Sequence, residues 1–249
     1  MTASKRSRPQ SGSKAKPQPV SKGATPPAAK EKPLSSSRQQ PGRQQPGRQQ
    51  LVAKLHKVLR SHYKPVAANV GRPVLDQVLF ACCLENAPYE VAERVFGRLG
   101  ESYFDLNEVR VTTVAELAET LRELPDPARA ALSLRRVLQG VFESTYSFSL
   151  EHAKKHSIAH GIKTLERLHG IPPFVVHYVA STALGGHFVP LDRGCLAALY
   201  LCGAISSQEY DAGKVPGIER IIPKKAGVEF GSLLHQFGVE CLGLSLIHI

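Results

Sequence analysis

The 249-residue sequence contains no tryptophan and a single methionine, so its core rests on aliphatic residues with nine Phe and seven Tyr. No apolar run reaches the ~18 residues that a bilayer-spanning helix requires, which excludes a hydrophobic transmembrane segment from the reading. The basic N-terminus carries no apolar h-region and does not read as a secretory signal. The five cysteines, Cys82, Cys83, Cys195, Cys202 and Cys241, include no CxxC pair and no regular spacing. They read as reduced cytosolic thiols, four of them inside apolar helical patterns. Alternating strand patterns are also missing, since "HFVPL" is too short to count. What remains is a 42% hydrophobic chain, enough for one good-sized core or two small lobes sharing one.

The net charge of +11 is unevenly placed: residues 1–50 hold eleven Lys and Arg against one Glu, and the rest holds 21 basic against 20 acidic residues. The basic character therefore belongs to an N-terminal tail, residues 1–50. That tail is rich in Lys, Arg, Ser, Pro and Gln and ends in the repeat "RQQPGRQQPGRQQ". It has too little apolar surface to offset its ordering entropy and is expected to be disordered. A cationic arm of this kind either contacts phosphates in a salt-dependent way or only solubilises the chain.

From Leu51 onward the pattern is helical. "LVAKLHKVLRSHY" places Leu51, Leu55, Val58 and Leu59 on one face. "PVLDQVLFACCLEN" starts at Pro73 and is apolar nearly all round, as a buried helix is. "PYEVAERVFGRLG" is expected to stop at Gly100. Thr113 with Glu116 forms a capping-box pattern, and Asp126-Pro127 marks another helix start. "SLEHAKKHSIAHGI" reads as one helix that places His152, His156 and His160 on one face, either as a metal-capable set or as an exposed polar face. Further helices are expected from about Pro173 to Leu184, from Asp192 to Cys202, and over "AGVEFGSLLHQFGVECL". The fold class is all-α.

Two elements stand close together: the turn in "LHGIPPFVVHYV" between two helices, and the helix start in "VPLDRGCLAALYLCG" with Asp192 at its boundary. A short helix, a Gly-containing turn and a second helix form a helix-hairpin-helix, whose free backbone N–H groups bind a DNA phosphate without reading sequence. On these residues the chain resembles the helix-hairpin-helix DNA glycosylase superfamily, endonuclease III above all. The family's L-P-G-V-G-R-K-T-A stretch matches Leu168 to Val176, and its V-D-T-H matches the run ending in Asp192, Arg193 and Gly194. The resemblance is specific from about Thr164 to Cys202, and upstream it is one of pattern.

The resemblance implies a two-lobed all-α fold, with a six-helix lobe over about 72–190, a second lobe from 51–71 and 191–243, and a groove for duplex DNA between them. It implies a flipped nucleotide and a catalytic carboxylate at Asp192 that stabilises positive charge on the deoxyribose. As an N-cap, Asp192 reads equally as a plain helix cap. It implies DNA contacts at His169, Gly170, Ile171, Phe174 and Arg193. The family's Gln that enters the gap left by the flipped base aligns near Cys83, with Glu85 or Asn86 as polar substitutes. A monomeric, DNA-associated cytoplasmic protein with no membrane partner completes the expectation.

The departures matter as much. Pro172 and Pro173 remove two N–H donors from the hairpin. Phe174 stands where bifunctional members carry the Schiff-base lysine, and Phe supplies no amine. β-Elimination by that route is not expected, which leaves three readings: a monofunctional glycosylase, a non-catalytic DNA-binding protein, or a helical protein-interaction module. Cys241 aligns with the first ligand of the family's iron–sulfur motif, C-x6-C-x2-C-x5-C. The other three ligands are absent, so no cofactor is expected in the chain as it stands. Residues 244–249, "LSLIHI", match what a library-preparation adapter encodes in frame, and a 4Fe–4S cluster is expected only if the natural chain continues differently.

Overall fold

The computed structural model describes residues 47–248, with side chains through Leu244. The cationic arm over residues 1–46 and the adapter-like residues 245–249 lie outside the side chains described. Twelve α-helices and no strand are found among the described residues. They are α1 (Arg48–His62), α2 (Val74–Leu84), α3 (Tyr89–Ser102), α4 (Leu106–Val111), α5 (Val114–Thr120) and α6 (Pro127–Thr145), followed by α7 (Ile158–Glu166), α8 (Pro173–Thr182), α9 (Arg193–Leu201), α10 (Ser207–Ala212), α11 (Ile218–Ile221) and α12 (Gly227–His248). No described helix is long and apolar enough to cross a membrane.

Local chemistry explains most of the boundaries. Thr113 and Glu116 make a reciprocal capping box at α5, and the Asp126 side chain accepts from Arg129 N at the start of α6, with Pro127 at the first position. Ser206 and Glu209 build a second capping box at α10. Three expectations are corrected. Helix α1 begins at Arg48, inside the segment read as a disordered tail, because Arg48 bonds the Glu209 carboxylate at 2.6 Å and donates to Ala204 O at 3.0 Å. Helix α3 runs through Gly100 to Ser102: a glycine costs only about 1 kcal/mol inside a helix, and packing overrides it. The stretch expected as one helix over Ser149–Ile162 is a 3-10 turn, Glu151–Lys154, and then α7, whose Ser157 cap accepts from His160 N.

The apolar residues divide into two clusters. The first joins α2, α3, α5, α6 and α8 around Phe80, Leu117, Leu134 and Val179; the second joins α1, α9, α11 and α12 around Leu199, Phe230 and Leu233. Helices α9 and α12 cross where two glycines meet. A Cβ on Gly238 would stand 2.5 Å from Gly194 C, and one on Gly194 would stand 2.6 Å from Gly238 O. Only hydrogen at both positions allows this approach. The crossing also holds Asp192 against His235, because Asp192 lies just before Gly194 on one helix and His235 one turn before Gly238 on the other.

Candidate functional site

The hairpin between α7 and α8 lies between two clefts. Gly170 takes φ +79° at its turn, a conformation that favours glycine, and the Arg136 side chain lies so close that a Cβ there would meet its Cδ at 2.6 Å. His169 and Gly170 are exposed and Ile171 is half-buried. With Arg110, Arg135, Arg136, Gln139 and Glu143, the hairpin encloses a cleft of about 570 Å³. Three arginines there face one glutamate, which already accepts from Gln139 at 2.6 Å. Arg110 is held over the Phe142 ring at 4.5 Å and bonds Gln139 at 2.6 Å. No ion pair engages Arg110, Arg135 or Arg136 among the described residues, although Arg110 also donates to Asn107 and Arg135 to Arg110 O.

On the other side, Pro173, Phe174 and Asp192 belong to the lining of a cleft of about 450 Å³. Its charges balance: Arg129, Arg193 and Lys214 against Glu85, Asp192 and Asp211. Arg129 is paired with Glu85 at 3.0 Å. Burial pushes the Glu85 carboxyl above its ordinary value; the Arg129 charge opposes this and the Asp192 charge adds to it. Arg193 is exposed at the first position of α9.

The expected positions are thus divided between the two clefts, His169 and Gly170 on one and Phe174, Asp192 and Arg193 on the other, and they differ in accessibility. Phe174 is 2% exposed and stacks on the His235 ring at 5.7 Å. Asp192 caps α9, which is compatible with either reading, and its side chain has 0% exposure. Oδ1 accepts from Cys195 N at 2.7 Å and Oδ2 accepts from Asn86 N at 3.1 Å. Asn86 returns the contact, since its Oδ1 accepts from Gly194 N at 3.2 Å, and it holds φ +62°, a region that asparagine tolerates better than most residues. His235 lies on the remaining side, with Nδ1 2.8 Å from Asp192 Oδ2. Its Nε2 stands 2.8 Å from Ala87 O. Both groups are buried, so the contact at Nδ1 is an ion pair at hydrogen-bond distance inside the protein. Burial alone would raise the Asp192 carboxyl; the His235 contact and the Cys195 N–H outweigh it, and the carboxyl is held below its ordinary value.

Other expectations move. Cys83 is 1% exposed inside the α2 core and cannot enter a nucleotide gap, whereas Glu85, the C-cap of α2, faces the cleft. His156 and His160 lie close, with ring centroids 4.6 Å apart, but His152 belongs to the separate 3-10 turn, so no three-histidine helix face forms. Cys241 is 6% exposed within the second apolar cluster, and burial raises its thiol. One packed thiol does not fit a cluster that takes four thiolates. His235 carries no local signal in the sequence: its partners lie 43 and 148 residues away along the chain.

No protein-family model matches the sequence, and no curated protein matches it. Solved structures do match by shape. A trapped endonuclease III–DNA covalent intermediate superposes with a TM-score of 0.53 at 16% identity, over 78% of this chain and 86% of that one. A thermostable thymine-DNA glycosylase superposes with a TM-score of 0.50 at 12% identity, over 77% of this chain and 85% of that one. With its two helical clusters and a hairpin set at their junction, the chain has the helix-hairpin-helix DNA glycosylase fold.

Proposed function

We propose that the protein binds duplex DNA through the hairpin face, with Arg110, Arg135 and Arg136 as the phosphate grip, and that Asp192 joins the two lobes instead of breaking a glycosidic bond. The observation that carries this is the complete engagement of Asp192, a carboxylate with 0% side-chain exposure held by two backbone N–H groups and His235. An anion whose field is spent on adjacent donors has little left for an oxocarbenium-like sugar, and no atom of it is open to one. Phosphate contacts need no such chemistry. They need unpaired cations beside a turn, and the larger cleft supplies them. With Pro172 and Pro173 lacking N–H groups, the arginines take over part of the hairpin's usual role.

A second reading is favoured by the position of Asp192 in the wall of an open cleft: a monofunctional glycosylase that uses it against a damaged base. The lyase route stays closed at Phe174, although Lys214 places another amine in that cleft. Full-length protein incubated with duplexes carrying a panel of damaged bases separates the two. The proposal expects salt-dependent binding, no base release and no adduct trapped by borohydride. Base release that Asp192→Asn abolishes while binding persists would establish the second reading and overturn the first.

A further inference from the structure

We propose that the cavity between α3, α4 and the first turn of α2 binds a small hydrophobic organic cation, an apolar body that carries one amine or quaternary ammonium group. The cavity holds about 350 Å³, within the roughly 300–1,000 Å³ of small-molecule sites. Its wall is mostly apolar, with Leu79, Leu106, Val109 and Leu134 beside the rings of Phe96 and Tyr103. It shares no lining residue with either cleft beside the hairpin. Such a site stands whether or not the protein binds DNA.

Two glycines keep this space open. Gly97 and Gly100 stand one turn apart on α3, and both line the cavity. Elsewhere the chain places glycine where φ is positive, as at Gly170, or where backbones touch, as at Gly194 and Gly238. Neither reason holds on α3. Neither glycine has a positive φ, and a Cβ at either would meet nothing within 4 Å. Each costs its helix about 1 kcal/mol relative to alanine. With no side chain at these two points, the cavity opens to solvent, and both glycines are exposed. A local destabilisation without a local structural reason is what a functional surface carries.

The charge of the wall selects the ligand. Its charged residues are Asp76 and Asp105, with no Lys, Arg or His among them. Asp105 Oδ1 accepts from Glu108 N at 2.8 Å in the cap of α4. Asp76 is half-buried, and no hydrogen bond or ion pair engages it among the described residues. Burial pushes its carboxyl above the ordinary value; the Arg72 charge opposes this and the Glu151 charge adds to it. Arg72 is itself committed elsewhere, bonding Glu93 at 2.8 Å and lying over the Phe80 and Phe96 rings at 4.3 and 4.9 Å. A half-buried carboxylate beside an apolar wall is best met by a cation. A neutral polar ligand finds little there, because the Tyr103 hydroxyl is held by Thr120 Oγ1 at 3.1 Å and the remaining lining side chains are apolar. Aromatic faces attract cations as well, and Phe104, 96% exposed in the same lining, gives a bound ligand a further ring to cover.

The test uses the full chain and three probes that share one apolar body: phenylbutylamine, phenylbutanol and phenylbutyrate. Calorimetric titration ranks them. The amine should bind at least about 10-fold more tightly than the carboxylate, a difference of about 1.4 kcal/mol, with the alcohol between. The net charge of +11 works in the opposite direction, so non-specific attraction does not produce this order. Asp76→Asn should bring the amine down to the alcohol while the alcohol's own affinity holds. Gly97→Leu should remove binding of all three by filling the opening, with a melting temperature at or above the parent's because the helix gains a better former. Should that variant fold poorly, Phe104→Ala, a change at an exposed ring, should weaken all three by a few-fold in folded protein. Asp211→Asn, in the cleft over Asp192, should leave the ranking unchanged. An amine that fails to bind at millimolar concentration, binds no better than the carboxylate, keeps its advantage in Asp76→Asn, or binds folded Gly97→Leu as it binds the parent overturns the proposal.

Discussion

The two clefts beside the hairpin share helices but not character. The one under Gly170 holds three arginines against one glutamate, and none of the three is ion-paired among the described residues. The one over Asp192 holds three cations against three carboxylates, with Arg129 already tied to Glu85. The first carries an excess of positive charge; the second is balanced, and the carboxylate in its wall is buried. Under the proposed reading the basic cleft holds the DNA backbone, and Asp192 serves as a joint between the two clusters.

The largest effect is expected at that joint. Asp192→Ala removes the acceptor of Asn86 N and Cys195 N and strips His235 Nδ1 of its counter-group. Breaking one side of a buried pair costs about 3–5 kcal/mol, so thermal or urea unfolding should show a loss of that size. A loss under about 1 kcal/mol would mean that the carboxylate is free for other work. Acid should act on the same group. The carboxyl is held below its ordinary value, so its stabilisation is complete above the unfolded-state value of about 4 and fades as pH falls through the lower folded value. Unfolding temperature should therefore drop more steeply below about pH 4 in the parent protein than in Asp192→Asn.

Next in size is Gly238→Ala. The added carbon would enter the α9–α12 crossing 2.5 Å from Gly194 C, backbone against backbone with no flexible side chain to yield. Overpacking of this kind costs about 1–3 kcal/mol or more. Because the crossing also sets His235 against Asp192, the variant should lose the joint along with stability, and near-UV circular dichroism should register the change around Phe174 and Tyr89, the rings that flank His235. An unchanged melting temperature would show that the helices can part without consequence.

How far these features can be read from the sequence depends on range along the chain. Caps are local, so Thr113 with Glu116 and Asp126 with Pro127 are legible, and the helices start there. The hairpin is legible for the same reason, its glycine and prolines being nearly consecutive. Gly100 misleads, because a helix stop is a local preference that packing of Val95 and Leu99 overrides. The Glu151–Lys154 turn is hidden, since a histidine every fourth residue looks continuous whether or not the backbone is. Asp192 is legible as a cap, but its enclosure is not, because Asn86 and His235 come from distant segments. Gly194 and Gly238 are visible singly; that they face each other is a fact of the fold alone.

Third comes the double variant Arg135→Ala/Arg136→Ala in the basic cleft. Each phosphate contact removed should lower the slope of log affinity against log salt by about 1, and affinity for undamaged duplex should fall on the order of 10-fold or more at moderate salt. Filter binding or fluorescence anisotropy across a salt series measures both. The melting temperature should stay near that of the parent, since Arg136 is exposed and neither arginine is ion-paired among the described residues. A steady slope would place the DNA elsewhere and remove the distinction between the clefts.

The smallest effect is expected from Arg193→Ala/Lys214→Ala in the balanced cleft, and it sharpens the comparison most. Both side chains are exposed, and removing them leaves Glu85, Asp192 and Asp211 facing Arg129 alone. If that cleft took a flipped nucleotide with its phosphates, losing two cations and uncovering net negative charge would weaken binding at least as much as the change in the basic cleft. If it is only a joint with an open mouth, the duplex passes at a distance. Screening over about 10 Å at 0.1 M salt then reduces the loss to a few-fold, without a shift in salt slope. The ratio of the two double variants, measured on one duplex in one buffer, therefore reports whether DNA enters the cleft over Asp192 or stops at the hairpin.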